Sequence, residues 1–187
     1  NVLMGDFTGH GLAAALGAMP ASEVFRAMTG KGFSIQQILA GINSKLLNLL
    51  PTSMFLAIQF ITISRSLDHV SVCNCGMPDI LFLDAGDHSI KHRTPSLGIP
   101  LGISGDVDFN ECVEVVKINQ GDSILLVSDG VTEALNEEKE HFHRERLEAA
   151  ISECHPDEAT IDSISRALRE FCGDATQADD ISLAEVP

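Results

Sequence analysis

Three acidic side chains stand where apolar runs end or begin. "VLMGD" runs into Asp6, "SILLVSD" runs into Asp129, and "DDISLAEV" opens on Asp179 and Asp180. A strand as apolar as "ILLV" is expected to be buried, so a carboxylate delivered at its end calls for a reason. One reason is local: Asp-Gly pairs form turns, and strand-end aspartates cap them. The other is shared. In an antiparallel sheet, the start of one strand and the ends of its neighbours lie on one edge, so Asp6, Asp129 and Asp179 can meet at one rim. Carboxylates brought that close repel and raise one another's pKa. A bound dication removes the conflict, and oxygen-only ligands favour Mg²⁺ or Mn²⁺ over zinc.

The elements that would carry these residues follow from the periodicity. "FTGHGLAAALGAMPASEVFRAMTG" predicts a helix from near Gly11, kinked or interrupted at Pro20. Ile35, Ile38, Leu39, Ile42, Leu46, Leu47 and Leu50 recur at helical spacing, with Ser34 as N-cap and Pro51 as the stop. "SMFLAIQFITISRS" reads as a strand, and "HVSVCNCGMPDILFLDAG" as two strands broken at Gly76-Met77-Pro78. "DFNECVEVVKINQGDSILLVSDG" reads as a further pair turned at Asn119-Gln120-Gly121-Asp122. "EHFHRERLEAAISEC" and "DEATIDSISRALREFCG" return to helical spacing, and "DDISLAEVP" closes as a strand beginning at Asp179 and Asp180. Helices segregated from strands point to an α+β layered domain with antiparallel sheets.

Composition narrows the partners. The chain has 187 residues and a formal charge of -15, which suits a single domain and excludes nucleic acid and an anionic membrane surface as partners. No apolar run reaches membrane-spanning length and nothing resembles a signal peptide, so the expected location is cytoplasmic. Five cysteines without a CxxC pair read as buried, reduced thiols.

"GDFTGHGLAAAL", "LGIPLGI", "LLVSDGVTEALN" and "ADDISLAEV" together resemble the conserved blocks of the metal-dependent protein serine/threonine phosphatases, the PPM family. The bacterial SpoIIE/RsbU-type branch is the nearest in pattern. The blocks fall in that family's order over nearly the whole of residues 1–187. The resemblance implies a four-layer αββα sandwich of two antiparallel sheets with flanking helices. It implies that Asp6 bridges two metal ions, that the Phe7 carbonyl ligates one, and that Asp129 and Asp179 complete the other. Asp180, His10 and Gly9 fall beside this set, His10 as a candidate acid and the glycines Gly9 and Gly11 as sites of close backbone approach. The implied chemistry is direct hydrolysis by water activated between two Mn²⁺ or Mg²⁺ ions about 3.5–4 Å apart. No nucleophilic Cys or Ser is then required.

Other features read as bland. Glu133 is taken as solvent-exposed, and "NEEKE" as a charged loop. His141 and His143, two apart in a helical stretch, are taken as a solvated face. Cys75 and Met77 replace the Ala and His that the family more often carries, a change in how the substrate channel is lined. Family members also have an acidic block upstream of the strand that ends at Asp6, so the N-terminal strands are expected to be missing and one metal to lack ligands. The resemblance implies a phosphorylated regulatory protein, such as an anti-sigma-factor antagonist, as substrate. It also implies an upstream sensor or receiver domain in a two-component or similar signalling chain, with a homodimer as one mode of control. A phosphatase fold that acts by protein binding without catalysis is the competing expectation.

Overall fold

The computed structural model describes residues 1–9, 12–155 and 158–187. The elements, in chain order, are β1 (Val2–Phe7), α1 (Leu12–Gly30), α2 (Ile35–Leu49), β2 (Leu56–Ile63), β3 (His69–Cys75), β4 (Ile80–Leu83), β5 (Ile90–Thr94), β6 (Val113–Lys117), β7 (Ser123–Val127), α3 (Asp129–Thr132), α4 (His143–Ser152), α5 (Thr160–Cys172) and β8 (Leu183–Val186). They form two four-stranded sheets, ordered β1-β2-β3-β6 and β5-β4-β7-β8. The chain divides into two compact units to match: Asn1–Met77 with Thr94–Ile118, and Pro78–Arg93 with Asn119–Pro187.

In the first unit, α1 and α2 cover one face of the sheet. The α2 stripe Ile35, Ile38, Leu39, Ile42 and Leu46 is buried against Leu56, Ile58 and Phe60 of β2. Each such side chain contributes about 1.5–3 kcal/mol on burial. The helix starts at a capping box in which the Ser34 hydroxyl accepts from Gln37 N–H and the Gln37 side chain accepts from Ser34 N–H. It stops where Leu50, ahead of Pro51, turns extended. The expected break at Pro20 does not occur: α1 runs through it unbroken. The cost is the one hydrogen bond that proline cannot donate, set against the packing of Ala21, Val24 and Phe25 in the core.

A strap over residues 96–104 crosses the end of this sheet. Leu101 exchanges two 2.8 Å backbone hydrogen bonds with Leu56, the partner of Phe7 in β1. The buried Asn43 of α2 clamps the strap, accepting from Gly102 N–H at 2.7 Å and donating to the Ser104 carbonyl at 2.8 Å.

In the second unit, α3, α4 and α5 cover one face of the other sheet, with Val131, Phe142, Leu147, Ile151, Ile164 and Leu168 packed on Leu81, Leu83, Leu125 and Val127. Consecutive residues Ile124–Val127 are all buried, which is why β7 reads as an unbroken apolar run.

Two expectations are corrected here, and one strand that the sequence did not announce is added. Strands β6 and β7 follow one another across the turn at 119–122 but do not pair: β6 joins β3, and β7 lies between β4 and β8. The turn closes on itself, with Asn119 N–H donating to the Asp122 carboxylate at 2.8 Å, so it carries a hairpin's local signature without a hairpin's partners. The strand β5, sequence IKHRT, gave no apolar alternation and is set by its place beside β4. The cysteines are not all free thiols. Cys73 is opposite Val113 in the β3–β6 register, which brings Cys112 to a Cα separation of 5.4 Å, and the two form a disulfide. Cys75 remains a buried thiol, its pKa pushed up to about 12 by desolvation, and is therefore held protonated.

Candidate metal centre

Asp129 sits two residues beyond β7, at the first position of the single-turn helix α3. The residue that fixes it is Ser128, which is buried. Ser128 N–H donates to the Ser182 carbonyl at 3.0 Å. Its hydroxyl accepts from Ser182 N–H at 3.0 Å and donates to the Asp180 carbonyl at 3.3 Å. Gly130 follows because nothing larger fits: a Cβ there would collide with the Asp180 carbonyl oxygen. The turn after β7 is thus locked to the segment before β8, and the apolar strand that delivers Asp129 serves as its rigid base.

Asp179 lies on that segment. The strand begins later than the sequence implied, at Leu183, because the pairing with β7 starts at Val127 opposite Leu183. Asp179 and Asp180 therefore stand on irregular backbone at the end of the sheet, both exposed. The two candidate ligands are oriented alike. The Asp129 carboxylate accepts from Gly130 N–H at 2.9 Å, and the Asp179 carboxylate accepts from Asp180 N–H at 2.8 Å. Gln177 holds the Asp179 carbonyl at 2.7 Å.

Asp6 belongs to the other sheet. It pairs with Ala57 on β1, and Phe7 pairs with Leu56. Alternation puts the Phe7 side chain on the face covered by α1 and α2, and Asp6 on the opposite face. Asp129 and Asp179 do share one end of one sheet, as antiparallel neighbours. The expectation of a single rim for all three carboxylates is corrected: Asp6 lies on the sheet β1-β2-β3-β6, whereas Asp129 and Asp179 lie at the end of the sheet β5-β4-β7-β8.

The remaining residues sort as follows. Gly9 adopts φ +82°, a left-handed backbone that favours glycine, with open space where a Cβ would stand. His10 and Gly11 lie outside the described residues. Glu133 is exposed, as expected. The rings of His141 and His143 lie 5.5 Å apart, with His141 Nδ1 bonded to the Glu133 carbonyl at 2.9 Å. Cys75 and Met77 are both buried, so the family positions they occupy are filled here by packing groups. Ser128 and the Cys73–Cys112 pair are what the sequence reading missed. Ser128 was visible as a polar residue closing an apolar strand, whereas the cysteine pair needed the strand register.

The donor set at the end of β7 and β8 is carboxylate oxygen, hard and anionic, which fits a magnesium- or manganese-type ion and not a thiophilic one. Among the described residues, the one group of three or more His, Cys, Asp or Glu ligand atoms lying within 4.8 Å of one another is Cys73, Cys75 and Cys112. Among them, too, no helix is long and apolar enough to cross a membrane.

Two antiparallel four-stranded sheets flanked by helices are the architecture of the PP2C-type phosphatase domain. Residues 1–186 match the model of the family described as stage II sporulation protein E, and the chain belongs to that SpoIIE family, the SpoIIE/RsbU-type branch of the PPM phosphatases. It is similar to protein IcfG of Synechocystis, 30% identical over 135 residues. It is also similar to the phosphoserine phosphatase RsbU of Bacillus subtilis, 25% identical over 137 residues. These stretches cover 72% and 73% of this chain but only 21% and 40% of the two relatives. Among solved structures, the SiaA PP2C domain of Pseudomonas aeruginosa aligns over 98% of this chain and 74% of its own, with a TM-score of 0.76 and 18% identity. A structure of the PP2C domain of Bacillus subtilis SpoIIE, with a fragment of its regulatory domain, aligns over 98% and 52%, at 0.74 and 18%.

Proposed function

We propose that the chain is the catalytic domain of a metal-dependent phosphatase that hydrolyses phosphoserine or phosphothreonine on a regulatory protein. The observation that supports this reading is the interlocked turn in which Ser128 and Gly130, packed on the Asp180 backbone, join the turn that carries Asp129 to the segment that carries Asp179. Two carboxylate-bearing turns joined in this way at the end of one sheet suit an ion with hard oxygen ligands.

In this reading Asp6, the Phe7 carbonyl, Asp129 and Asp179 would hold the Mn²⁺ or Mg²⁺ ions, with Asp180, Gly9 and His10 as the supporting residues the family pattern assigns. The bound ions would supply an acidified water and offset charge on the phosphoryl oxygens. The protein's own contribution is to hold the carboxylates in place. Ser128 positions Asp129 through the backbone, and Gln177 positions Asp179. The chain spans less than half of its curated relatives, and we infer a cytoplasmic output module coupled to a sensor or receiver domain, with dimer formation as a mode of control. The non-catalytic alternative loses much of its motive, since Cys75 and Met77 are packing residues here.

The test is hydrolysis of an aryl phosphate by the full-length protein with and without Mn²⁺, repeated with Asp129→Asn. Activity should require the metal. The variant should lose more than the roughly 10–100-fold that an outer-sphere partner costs. Metal-independent turnover, or an unchanged rate in Asp129→Asn, would end this reading.

A further inference from the structure

A second set of side chains carries ligand chemistry of a different kind. Cys73 and Cys75 lie two apart on β3, so both sulfurs emerge on the helix-covered side of the sheet. Cys112, just ahead of the neighbouring strand β6, closes on them. The three ligand atoms lie within 4.8 Å of one another, and all three residues are buried. Cys73 and Cys112 are bonded in this structure, and the Cys75 sulfur lies 3.5 Å from that of Cys73. A covalent staple needs two sulfurs; it gives no reason for the third. Cys75 is also ill-suited to thiol exchange, because a buried protonated thiol is a poor nucleophile. The Phe109 carbonyl adds a neutral oxygen to the cluster, 3.4 Å from Cys112 Sγ.

We propose that, once the disulfide is reduced, Cys73, Cys75 and Cys112 bind one thiophilic divalent cation of the zinc class, with the Phe109 carbonyl as fourth donor. Reduction is balanced by two equivalents of a monothiol. These leave as one disulfide, while Cys73 and Cys112 each take up a proton. Binding then releases three protons, one from each thiol. Three thiolates around a dication leave a single net negative charge, which an apolar core tolerates far better than three. Metal–sulfur bonds of about 2.3 Å place neighbouring sulfurs roughly 4 Å apart, inside the span the cluster already has. Entry is not an obstacle, because thiolate sites of this kind fill as the chain folds.

The site lies beneath the strap. Leu97 and Gly98 N–H both donate to the Asn74 carbonyl, and Gly98 packs so tightly that a Cβ would strike the Cys75 sulfur. Further along, Leu101 pairs with Leu56, the partner of Phe7. The strap thus covers the three sulfurs at Gly98 and, at Leu101, meets Leu56 at the sheet end that carries Phe7.

The test titrates Cd²⁺, a thiolate-reporting probe, into full-length protein reduced with a phosphine under nitrogen, with Mg²⁺ in excess to occupy carboxylates. One equivalent should bind and give a sulfur-to-metal charge-transfer band. Cys75→Ala should weaken binding at least tenfold, while the double variant Cys154→Ser/Cys172→Ser and the oxidised wild type should respectively keep and lose the band. Asp129→Asn should keep it, so a failure here is separable from failure of the phosphatase reading. X-ray absorption of the Cd²⁺-loaded wild type should report three sulfurs and one oxygen, and does not depend on how any variant folds. No band in reduced wild type, an equal band in Cys75→Ala, or a shell without sulfur overturns the proposal.

Discussion

Gly130→Ala isolates the contact on which the candidate centre depends. The added Cβ would meet the Asp180 carbonyl oxygen and carbon, which are backbone atoms and not a flexible side chain. That carbonyl also accepts the Ser128 hydroxyl, so it cannot move without loosening the junction of β7 with the segment before β8. Overpacking of this sort costs about 1–3 kcal/mol, and here the upper end is expected because the obstacle is main chain. The weakened Ser128 bond adds about 1 kcal/mol. For a chain of this size each kcal/mol lowers Tm by roughly 2–4 °C, so a fall of about 8–16 °C is expected. Separating the two turns should also raise the Mn²⁺ concentration needed for half-maximal activity. The assay pairs a thermal melt with a Mn²⁺ titration of aryl-phosphate hydrolysis. Gly30→Ala is the control: it ends α1 with nothing within 4 Å of the place its new methyl would take and should change stability by no more than about 0.5 kcal/mol. If Gly130→Ala melts with the wild type and keeps its Mn²⁺ dependence, the interlock does not hold Asp129 and Asp179 together.

Three further outcomes follow from the same geometry. Asn43→Ala leaves Gly102 N–H and the Ser104 carbonyl without their clamp and should cost about 2–4 kcal/mol in urea unfolding. Lys91 lies between Asp122 at 2.9 Å and Asp84 at 3.2 Å. The Asp84 carboxyl is held below its ordinary 3.8 by Gly86 N–H and then by Lys91, while Asp122 first and then Asp84 hold Lys91 above its ordinary 10.5. Depressed carboxyls stabilise above their unfolded pKa and lose that as pH falls, and a raised ammonium stabilises below its unfolded pKa. The cluster's contribution is thus present from 3.8 to 10.5, and Lys91→Met should move acid unfolding to higher pH in Tm-versus-pH curves. Reducing the Cys73–Cys112 bond opens a loop of sequence separation 39 and should lower stability by about 4 kcal/mol on the chain-entropy account, read by denaturant unfolding with and without reductant.

What was legible in the sequence is what adjacent residues decide between them. The helix α2 announces itself through its stripe, Ser34 with Gln37, and Pro51, because period, cap and stop are all local. The turn at 119–122 is legible for the same reason. Its strands are not, because β6 and β7 choose partners on β3, β4 and β8 that lie far away in sequence. β5 is invisible for want of apolar alternation, since its extended form comes from lying beside β4. Pro20 misleads because helix propensity omits the core into which Ala21, Val24 and Phe25 pack. The disulfide depends on the register of Cys73 against Val113, which no spacing rule supplies.

The candidate centre divides along the same line, and the division bears on how it works. Asp129 was readable because its environment is a buried strand, a serine and a glycine in sequence, and these make its position nearly independent of any ion. Asp179 is held differently. It is exposed, on irregular backbone, and ordered by Gln177 and by the Ser128 bridge to its neighbours. One ligand is therefore set in advance and the other is positioned through it. In the proposed centre an ion at Asp129 would meet a carboxylate already fixed by Gly130 N–H, and the ordering it would supply would fall mainly on the segment before β8. That asymmetry makes Ser128 the residue through which the rigidity of β7 reaches both carboxylates, even though its own side chain needs no contact with the metal.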